Sequence, residues 1–169
     1  MPLLNIQQVK KVYQSQLNGQ PVEALKNITF SVEEGEYVAI MGESGSGKST
    51  LLNLMATLDQ PTAGELALNG IDLTTIKEKD AASFRRDHLG FVFQDFNLLD
   101  TFSVKDNILL PLVLSKVPVK QMDQRLQPLV RTLGITDLLQ HYPYELSGGQ
   151  KQRVAVARAI ITKPDHNRR

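Results

Sequence analysis

One segment of the chain combines glycines, a lysine and hydroxyl residues at a spacing suited to holding phosphate groups. Residues 42–49 read Gly-Glu-Ser-Gly-Ser-Gly-Lys-Ser and fit the pattern G-x-x-x-x-G-K-S/T. Glycines let the backbone turn tightly, so that its N–H groups reach phosphate oxygens. Lys48 would contact the β- and γ-phosphates, and the Ser49 hydroxyl would bind Mg²⁺. The predicted nucleotide-binding residues here are Gly42, Ser44, Gly45, Ser46, Gly47, Lys48, Ser49 and Thr50.

A second segment, residues 146–150, reads Leu-Ser-Gly-Gly-Gln and opens a predicted helix. Ser147 can cap that helix, and Gln150 stands three residues later, as in a capping box. Exposed N–H groups, glycines that allow close approach and two cations just beyond also suit an anion. The pattern leaves two interpretations open, a well-capped amphipathic helix or a second anion site.

Short apolar runs elsewhere in the chain predict the strands that would position these two segments. Residues 37–41 and 89–93 are runs rich in β-formers and predict strands buried on both faces, the first entering the glycine loop and the second ending at Gln94. Further predicted strands cover residues 3–13, 24–32 and 64–68. Predicted helices cover residues 48–58, 78–88, 104–114, 119–133 and 147–162. Together these elements predict an α/β fold with a phosphate-binding core, an N-terminal antiparallel β subdomain and a helical insert.

Turn and cap residues separate these elements. Residues 14–21 and the pair Asn69-Gly70 predict turns. Pro128 should interrupt the fourth helix, Gly134 should cap its end, and Lys163-Pro164 should end the last helix.

Composition narrows the class of protein. The 169 residues carry a net charge of +1, which gives no electrostatic case for nucleic acid or an anionic membrane. There is no cysteine, in agreement with a reducing compartment. The most apolar run, residues 108–114, is far shorter than the roughly 20 residues of a membrane helix. A membrane role would therefore need a membrane partner.

With these motifs in one order, the chain resembles the ATP-binding subunits of ABC transporters over essentially its whole length. The resemblance implies that residues Ser147, Gly148, Gly149 and Gln150 complete the ATP site of a second subunit in a head-to-tail dimer. It also implies that Gln94 positions Mg²⁺ and water and contributes to catalysis and metal binding. Tyr13 matches the aromatic residue that stacks on adenine, although an ordinary tyrosine at a strand end remains the alternative.

The more specific resemblance is to the branch that serves macrolide export and lipoprotein release. Residues 94–101 (Gln-Asp-Phe-Asn-Leu-Leu-Asp-Thr) and 104–112 look most like the bacitracin-type ATPases of antimicrobial-peptide resistance. This implies a cytoplasmic subunit held at the membrane by an integral permease. Residues 96–102 would receive the permease's coupling helix, or they simply pack the helical subdomain.

The family places an acidic strand after residue 165, and residues 166–169, His-Asn-Arg-Arg, do not match it. We therefore expect a single partial ABC domain, C-terminally truncated, with the last core strands and the general base missing. Its parts would be residues 1–94 (nucleotide core and β subdomain), 95–146 (helical subdomain), 147–165 (signature helix) and 166–169 (aberrant tail). Two functions stay open: a transporter ATPase subunit that couples Mg-ATP hydrolysis to transport, and a fragment that binds nucleotide without hydrolysing it.

Overall fold

The computed structural model describes residues 2–14 and 20–162. The chain divides into two compact units, Met1–Ala82 and Ser83–Arg169. The domain boundaries predicted from the sequence stay predictions. Part of the predicted turn at 14–21, the helix end at Lys163-Pro164 and the tail at 166–169 lie outside the described residues.

The first unit is built on an antiparallel sheet. Its strands are β1 (Leu4–Tyr13), β2 (Val22–Val32), β3 (Ala63–Leu68) and β4 (Ile71–Asp72), in the order β2-β1-β3-β4. Alternate residues of a regular strand point to the same side, but Ile6 and Val9 of β1 are buried although they are three positions apart. A register shift between them, with Gln8 at a φ of 49°, changes the phase of the alternation. The buried side chains of this sheet are Ile6, Val9, Leu25 and Leu66. The predicted antiparallel subdomain is confirmed.

Local backbone chemistry sets the ends of elements in this unit. Asn69 and Gly70 have φ of 49° and 75°, the left-handed pair that a two-residue hairpin turn requires. Helix α1 covers Lys48–Met55, shorter than the predicted 48–58. It ends early because Thr57 adopts a φ of 52°, which a right-handed helix excludes. A short 3₁₀ helix, Leu73–Thr75, follows β4.

Helices dominate the rest of the described chain. They are α2 (Glu78–His88, across the division of the units), α3 (Val104–Leu114), α4 (Val119–Thr132) and α5 (Gly148–Ile160). Two 3₁₀ helices, Thr136–Leu138 and Pro143–Glu145, connect α4 to α5. Apolar residues of α3, α4, α5 and the segments next to them form one core: Val104, Ile108, Leu109, Leu112, Met122, Leu126, Val130, Ile135, Leu146, Val154, Ala157 and Ile161. The predicted helical insert is confirmed.

Proline and glycine behave differently in α4. The prediction that Pro128 interrupts this helix is wrong, since α4 runs through it. The ring lies on the exposed face, while Leu126 and Val130 on the other side are fully buried, and that burial outweighs one lost hydrogen bond. Gly134 ends the helix as predicted, with a φ of 62°. Its N–H donates to Arg131 and that of Ile135 to Val130, which is a Schellman motif.

A buried amide fixes the loop that leads into α3. Asn107 is fully buried, and its Oδ1 accepts from the Leu99 N–H at 2.8 Å. Its Nδ2 lies 3.0 Å from the Leu99 carbonyl oxygen and 3.1 Å from those of Phe102 and Ser103. Because each polar atom of the amide has a partner, these hydrogen bonds offset the cost of burying it and hold the loop in place.

Two predicted buried strands are wrong. Residues 37–41 and 89–93 carry no strand pairing in the part of the chain that the structure describes. Tyr37 is fully exposed and Met41 is 86% exposed; Phe93 is 44% exposed. An apolar run of β-formers becomes a buried strand only where neighbouring strands complete its ladder, and no described strand lies beside either segment.

Candidate functional site

The glycine loop holds a left-handed backbone that only glycine adopts freely. Gly45 and Gly47 have φ of 80° and 88°. A Cβ at Gly47 would overlap the Ala24 carbonyl oxygen and lie 2.8 Å from Leu25 Cδ2. Gly47 is therefore required twice, by its backbone conformation and by the contact between the loop and β2.

The lysine of the loop folds back over the loop's own backbone. Lys48 Nζ donates to the carbonyl oxygens of Gly42 at 2.9 Å and Glu43 at 2.6 Å, and lies 3.3 Å from Ser46 Oγ. These contacts hold a positive charge at the mouth of the turn. A phosphate in the turn would meet that charge directly.

Helix α1 starts at this turn without a side-chain cap. Gly47 is its N-cap residue, and the Gly47 carbonyl accepts from the Leu51 N–H at 2.9 Å. The N–H groups of the first turn, at Lys48, Ser49 and Thr50, have no acceptor within the helix. Ser44, Ser46 and Ser49 are exposed around them. Unpaired donors, the positive end of the helix dipole and a lysine form a site for an anionic group.

Tyr13 ends β1 and is held by two neighbours. Its hydroxyl donates to Asp59 Oδ2 at 2.8 Å, and Lys11 Nζ lies 4.8 Å from the ring centroid. Lys11 also forms an ion pair with Asp59 at 2.6 Å. Burial would raise the pKa of the Asp59 carboxyl. Hydrogen bonds from Lys11, Tyr13 and the Gln60 backbone N–H, with the charge of Lys11, nevertheless hold that pKa below its usual range.

The register of the sheet relates Tyr13 to the glycine loop. Gly47 packs against Ala24 and Leu25 of β2. Leu25 pairs with Lys11, and Val22 pairs with Tyr13. Tyr13 thus lies two residues further along β1 than the residue opposite the loop contact, about 7 Å along the strand.

The second motif forms the cap of α5. Ser147 Oγ accepts from the Gln150 N–H at 3.4 Å, and Gln150 Oε1 accepts from the Ser147 N–H at 2.8 Å. This is the predicted capping box. Ser147, Gly148 and Gly149 are exposed, and a Cβ at either glycine would meet no atom within 4 Å. Packing within the described chain therefore does not require glycine at these positions.

Gln94 begins an exposed turn after residues 89–93. The next residues, Phe96 and Asn97, adopt left-handed φ of 59° and 44°. Arg158 near the end of α5 holds both, because its Nη2 and Nη1 donate to the Phe96 and Asn97 carbonyl oxygens at 2.7 Å each. Partial burial lowers the pKa of the Arg158 guanidinium, and the two carbonyls replace the water it loses.

Sequence reasoning missed Lys11, Asp59 and Arg158. The spacing of Lys11 and Tyr13, two residues apart in a strand, places them on one face and was the available signal. No local pattern indicates Asp59 or Arg158, since their partners are 46 and 61–62 residues away along the chain.

The described residues provide neither a metal-binding cluster nor a membrane-spanning helix. Within residues 2–14 and 20–162 there is no group of three His, Cys, Asp or Glu side chains that could hold a metal ion. No helix of the described chain is long and apolar enough to cross a bilayer.

Comparison with known proteins agrees with these observations. The uncharacterized ABC transporter ATP-binding protein YvcR of Bacillus subtilis is 53% identical over 97% of this chain and 63% of its own length. The bacitracin export ATP-binding protein BceA of Halalkalibacterium halodurans is 48% identical over 97% of this chain and 64% of its own. The chain thus spans slightly under two thirds of these relatives.

Solved structures give the same fold. A dimeric ATP-binding cassette, MJ0796, in a post-hydrolysis state bound to ADP and Pi, superposes with a TM-score of 0.83. It is 37% identical, and the match covers 95% of this chain and 70% of that one. The predicted α/β cassette fold is confirmed. The sequence profile described as ABC transporter matches residues 25–166, and the chain belongs to the ABC transporter family as part of an ATP-binding domain.

Proposed function

We propose that this chain is the nucleotide-binding part of an ABC transporter ATPase of the bacitracin-export type, which binds Mg-ATP and acts on a membrane permease. The glycine loop carries the proposal. It joins left-handed glycines, uncapped N–H groups of α1 and the Lys48 ammonium in one turn. These are the groups that hold nucleotide phosphates.

The residues present suit a magnesium nucleotide. Hydroxyl oxygens such as Ser49 Oγ are hard donors of the kind Mg²⁺ prefers, and Ser49 is exposed beside the uncapped N–H groups. Mg²⁺, when bound, supplies positive charge to the phosphates. Tyr13 would stack on the adenine base, and its position about 7 Å along β1 from the loop contact supports this. Gln94 as a metal-positioning and catalytic residue stays a prediction from the resemblance.

A second copy of the chain would complete the site. Gly148 and Gly149 are poor helix residues that nothing in the described chain requires. Close approach of a ligand to the start of α5 gives them a reason. We assign Ser147, Gly148, Gly149 and Gln150 to the phosphates bound by the other subunit of a head-to-tail dimer. The dimeric state of the related cassette supports this assignment.

The relatives support a proposal for the transported substrate and for the location of the protein. The name of one relative specifies bacitracin export. We propose antimicrobial-peptide export or resistance as the process, with the ATPase on the cytoplasmic face of the membrane and held there by the permease. Phe102 and Leu99 are exposed on the second unit and are candidate contacts for that permease.

The proposal is tested by removing the loop lysine. Lys48→Ala should weaken Mg-ATP binding about 10- to 100-fold, since it deletes a charge-assisted contact. The matched control is Lys26→Ala, because Lys26 is a largely exposed lysine of the same unit. Equilibrium dialysis with radiolabelled ATP gives both constants. Unchanged affinity in the Lys48 variant would show that the loop does not bind phosphate.

Phosphate release separates the two functions left open by the sequence. Binding of Mg-ATP by the 169-residue chain with no phosphate release above the rate without protein would favour the fragment that binds nucleotide without hydrolysing it. Steady turnover that Lys48→Ala abolishes would instead show a complete ATPase site.

A further inference from the structure

We propose that Lys11 and Asp59 form a base-positioning brace that fixes the Tyr13 ring before nucleotide binds. Neither residue belongs to the nucleotide-binding motifs at residues 42–49 and 146–150. The inference deepens the proposed function and rests on the assignment of Tyr13 to the adenine base.

The brace holds the ring at two points. Asp59 accepts from the Tyr13 hydroxyl at 2.8 Å and fixes the edge of the ring. The Lys11 ammonium lies 4.8 Å from the ring centroid and fixes one face. The same ammonium donates to Asp59 Oδ1 at 2.6 Å and to the Gln60 carbonyl oxygen at 2.7 Å. Lys11 therefore cannot leave the ring without breaking two further contacts.

Exposure distinguishes the two faces of the ring. The Lys11 side chain is 12% exposed, so the face that it covers is turned toward the protein. Tyr13 itself is 40% exposed, and we infer that the exposed part includes the ring face opposite Lys11. A planar base can stack on that open side. A ring already held in one orientation loses less side-chain entropy when the base arrives.

The cation also changes the electronics of the ring. An ammonium over one face is attracted to the π electrons and draws them toward itself. The opposite face then repels the π system of an adenine less. Lys11 and Asp59 are thus positioning residues, which act on the base through Tyr13.

Affinities for two ligands test the brace. ATP uses the base and the phosphates, whereas inorganic tripolyphosphate uses only the phosphate loop. Both affinities are measured with Mg²⁺ at submicromolar chain concentration, below the range in which we expect aggregation. ATP binding is followed with the radiolabelled nucleotide, and tripolyphosphate binding by its competition with that label. The proteins are the full chain and its variants Lys11→Met, Lys11→Arg and Lys10→Met. Lys10 is the matched control, because it is a neighbouring lysine of β1 with its own ion pair to Glu23 at 2.9 Å.

Lys11→Met should weaken ATP about three- to tenfold and change tripolyphosphate less than about twofold. Lys11→Arg should restore most of the ATP affinity, since a guanidinium can also lie over a ring and pair with a carboxylate. Lys10→Met should leave both constants unchanged. Tyr13→Phe keeps the ring and removes only the bond to Asp59, so it provides a second reading if Lys11→Met does not fold. We expect it to weaken ATP about twofold or more.

Other results would overturn the brace. Equal or tighter ATP binding by Lys11→Met would place the ammonium on the face that the base needs. Equal loss for both ligands would show a purely structural role. If the unmodified chain binds ATP no better than tripolyphosphate, Tyr13 does not recognise the base. If it binds neither, the nucleotide function itself is wrong.

Discussion

At the scale of single residues, the motifs with local geometry could be predicted and the long-range partners could not. The glycine loop and the Ser147–Gln150 cap follow from neighbours in sequence, and both have the predicted conformation. Lys11, Asp59 and Arg158 acquire their contacts only through folding. A strand pattern places Lys11 on the same face as Tyr13, but it does not supply the carboxylate between them.

Gly47 gives a prediction at this scale. Gly47→Ala should lower the free energy of unfolding by about 2–4 kcal/mol, since alanine meets both a left-handed φ and the overlap with Ala24. Gly35 has a similar φ of 81° with no atom within 4 Å of an added Cβ, so Gly35→Ala should cost only about 1 kcal/mol. Urea unfolding at low protein concentration measures both. Equal costs would show that the contact between the loop and β2 contributes nothing.

At the scale of elements, the sequence predicts correctly those helices whose start and end depend on their own residues. It does not predict correctly the segments whose conformation depends on distant neighbours. The bounds of α2 and α3 agree with the sequence prediction because periodicity and caps are local. The prediction of buried strands at residues 37–41 and 89–93 was wrong because a buried strand is defined by its neighbours, and no described strand lies beside either segment. The prediction that Pro128 interrupts α4 was wrong because burial of the opposite face of the helix outweighs the cost of the proline.

The start of α5 gives the prediction at this scale. Gly149→Ala should raise the free energy of unfolding by about 0.5–1 kcal/mol, because alanine is the better helix former and has open space there. It should also weaken ATP-dependent dimerisation, because the added methyl group stands where a phosphate of the second subunit would approach. Analytical ultracentrifugation with and without Mg-ATP measures the dimer, and Gln127→Ala on the exposed side of α4 is the control. Undiminished dimerisation would remove these glycines from the interface.

At the scale of the whole molecule, apolar surface limits the solubility of the isolated chain. Several large apolar side chains are exposed by more than about two fifths of their surface: Tyr37, Val38, Met41, Val92 and Phe93. A groove of about 510 Å³ lies beside the glycine loop and is lined by apolar residues that include Leu25, Phe30 and Leu51. Unpaired strand-like segments with apolar side chains are templates for association between chains.

We therefore expect the 169-residue chain to aggregate at micromolar concentration and to bind a hydrophobic dye. Size-exclusion chromatography and dye fluorescence measure this. Tyr37→Lys together with Met41→Lys should reduce aggregation, since charges on such a segment oppose pairing. Lys120→Met on the exposed start of α4 is a control that should not reduce it. A purified monomer with a cooperative thermal transition would contradict the prediction.

The Arg158 guanidinium links helix α5 to the turn that follows Gln94, two segments that are far apart in the sequence. Helix α5 begins at the Ser147 cap, and Arg158 stands about 16 Å along its axis, where it holds the two carbonyls that follow the Gln94 turn. A continuous helix thus joins the Ser147 cap to the residue that binds this turn. We expect a tilt of α5 at the Ser147 end to move the Arg158 guanidinium and, through its two hydrogen bonds, the left-handed pair Phe96-Asn97.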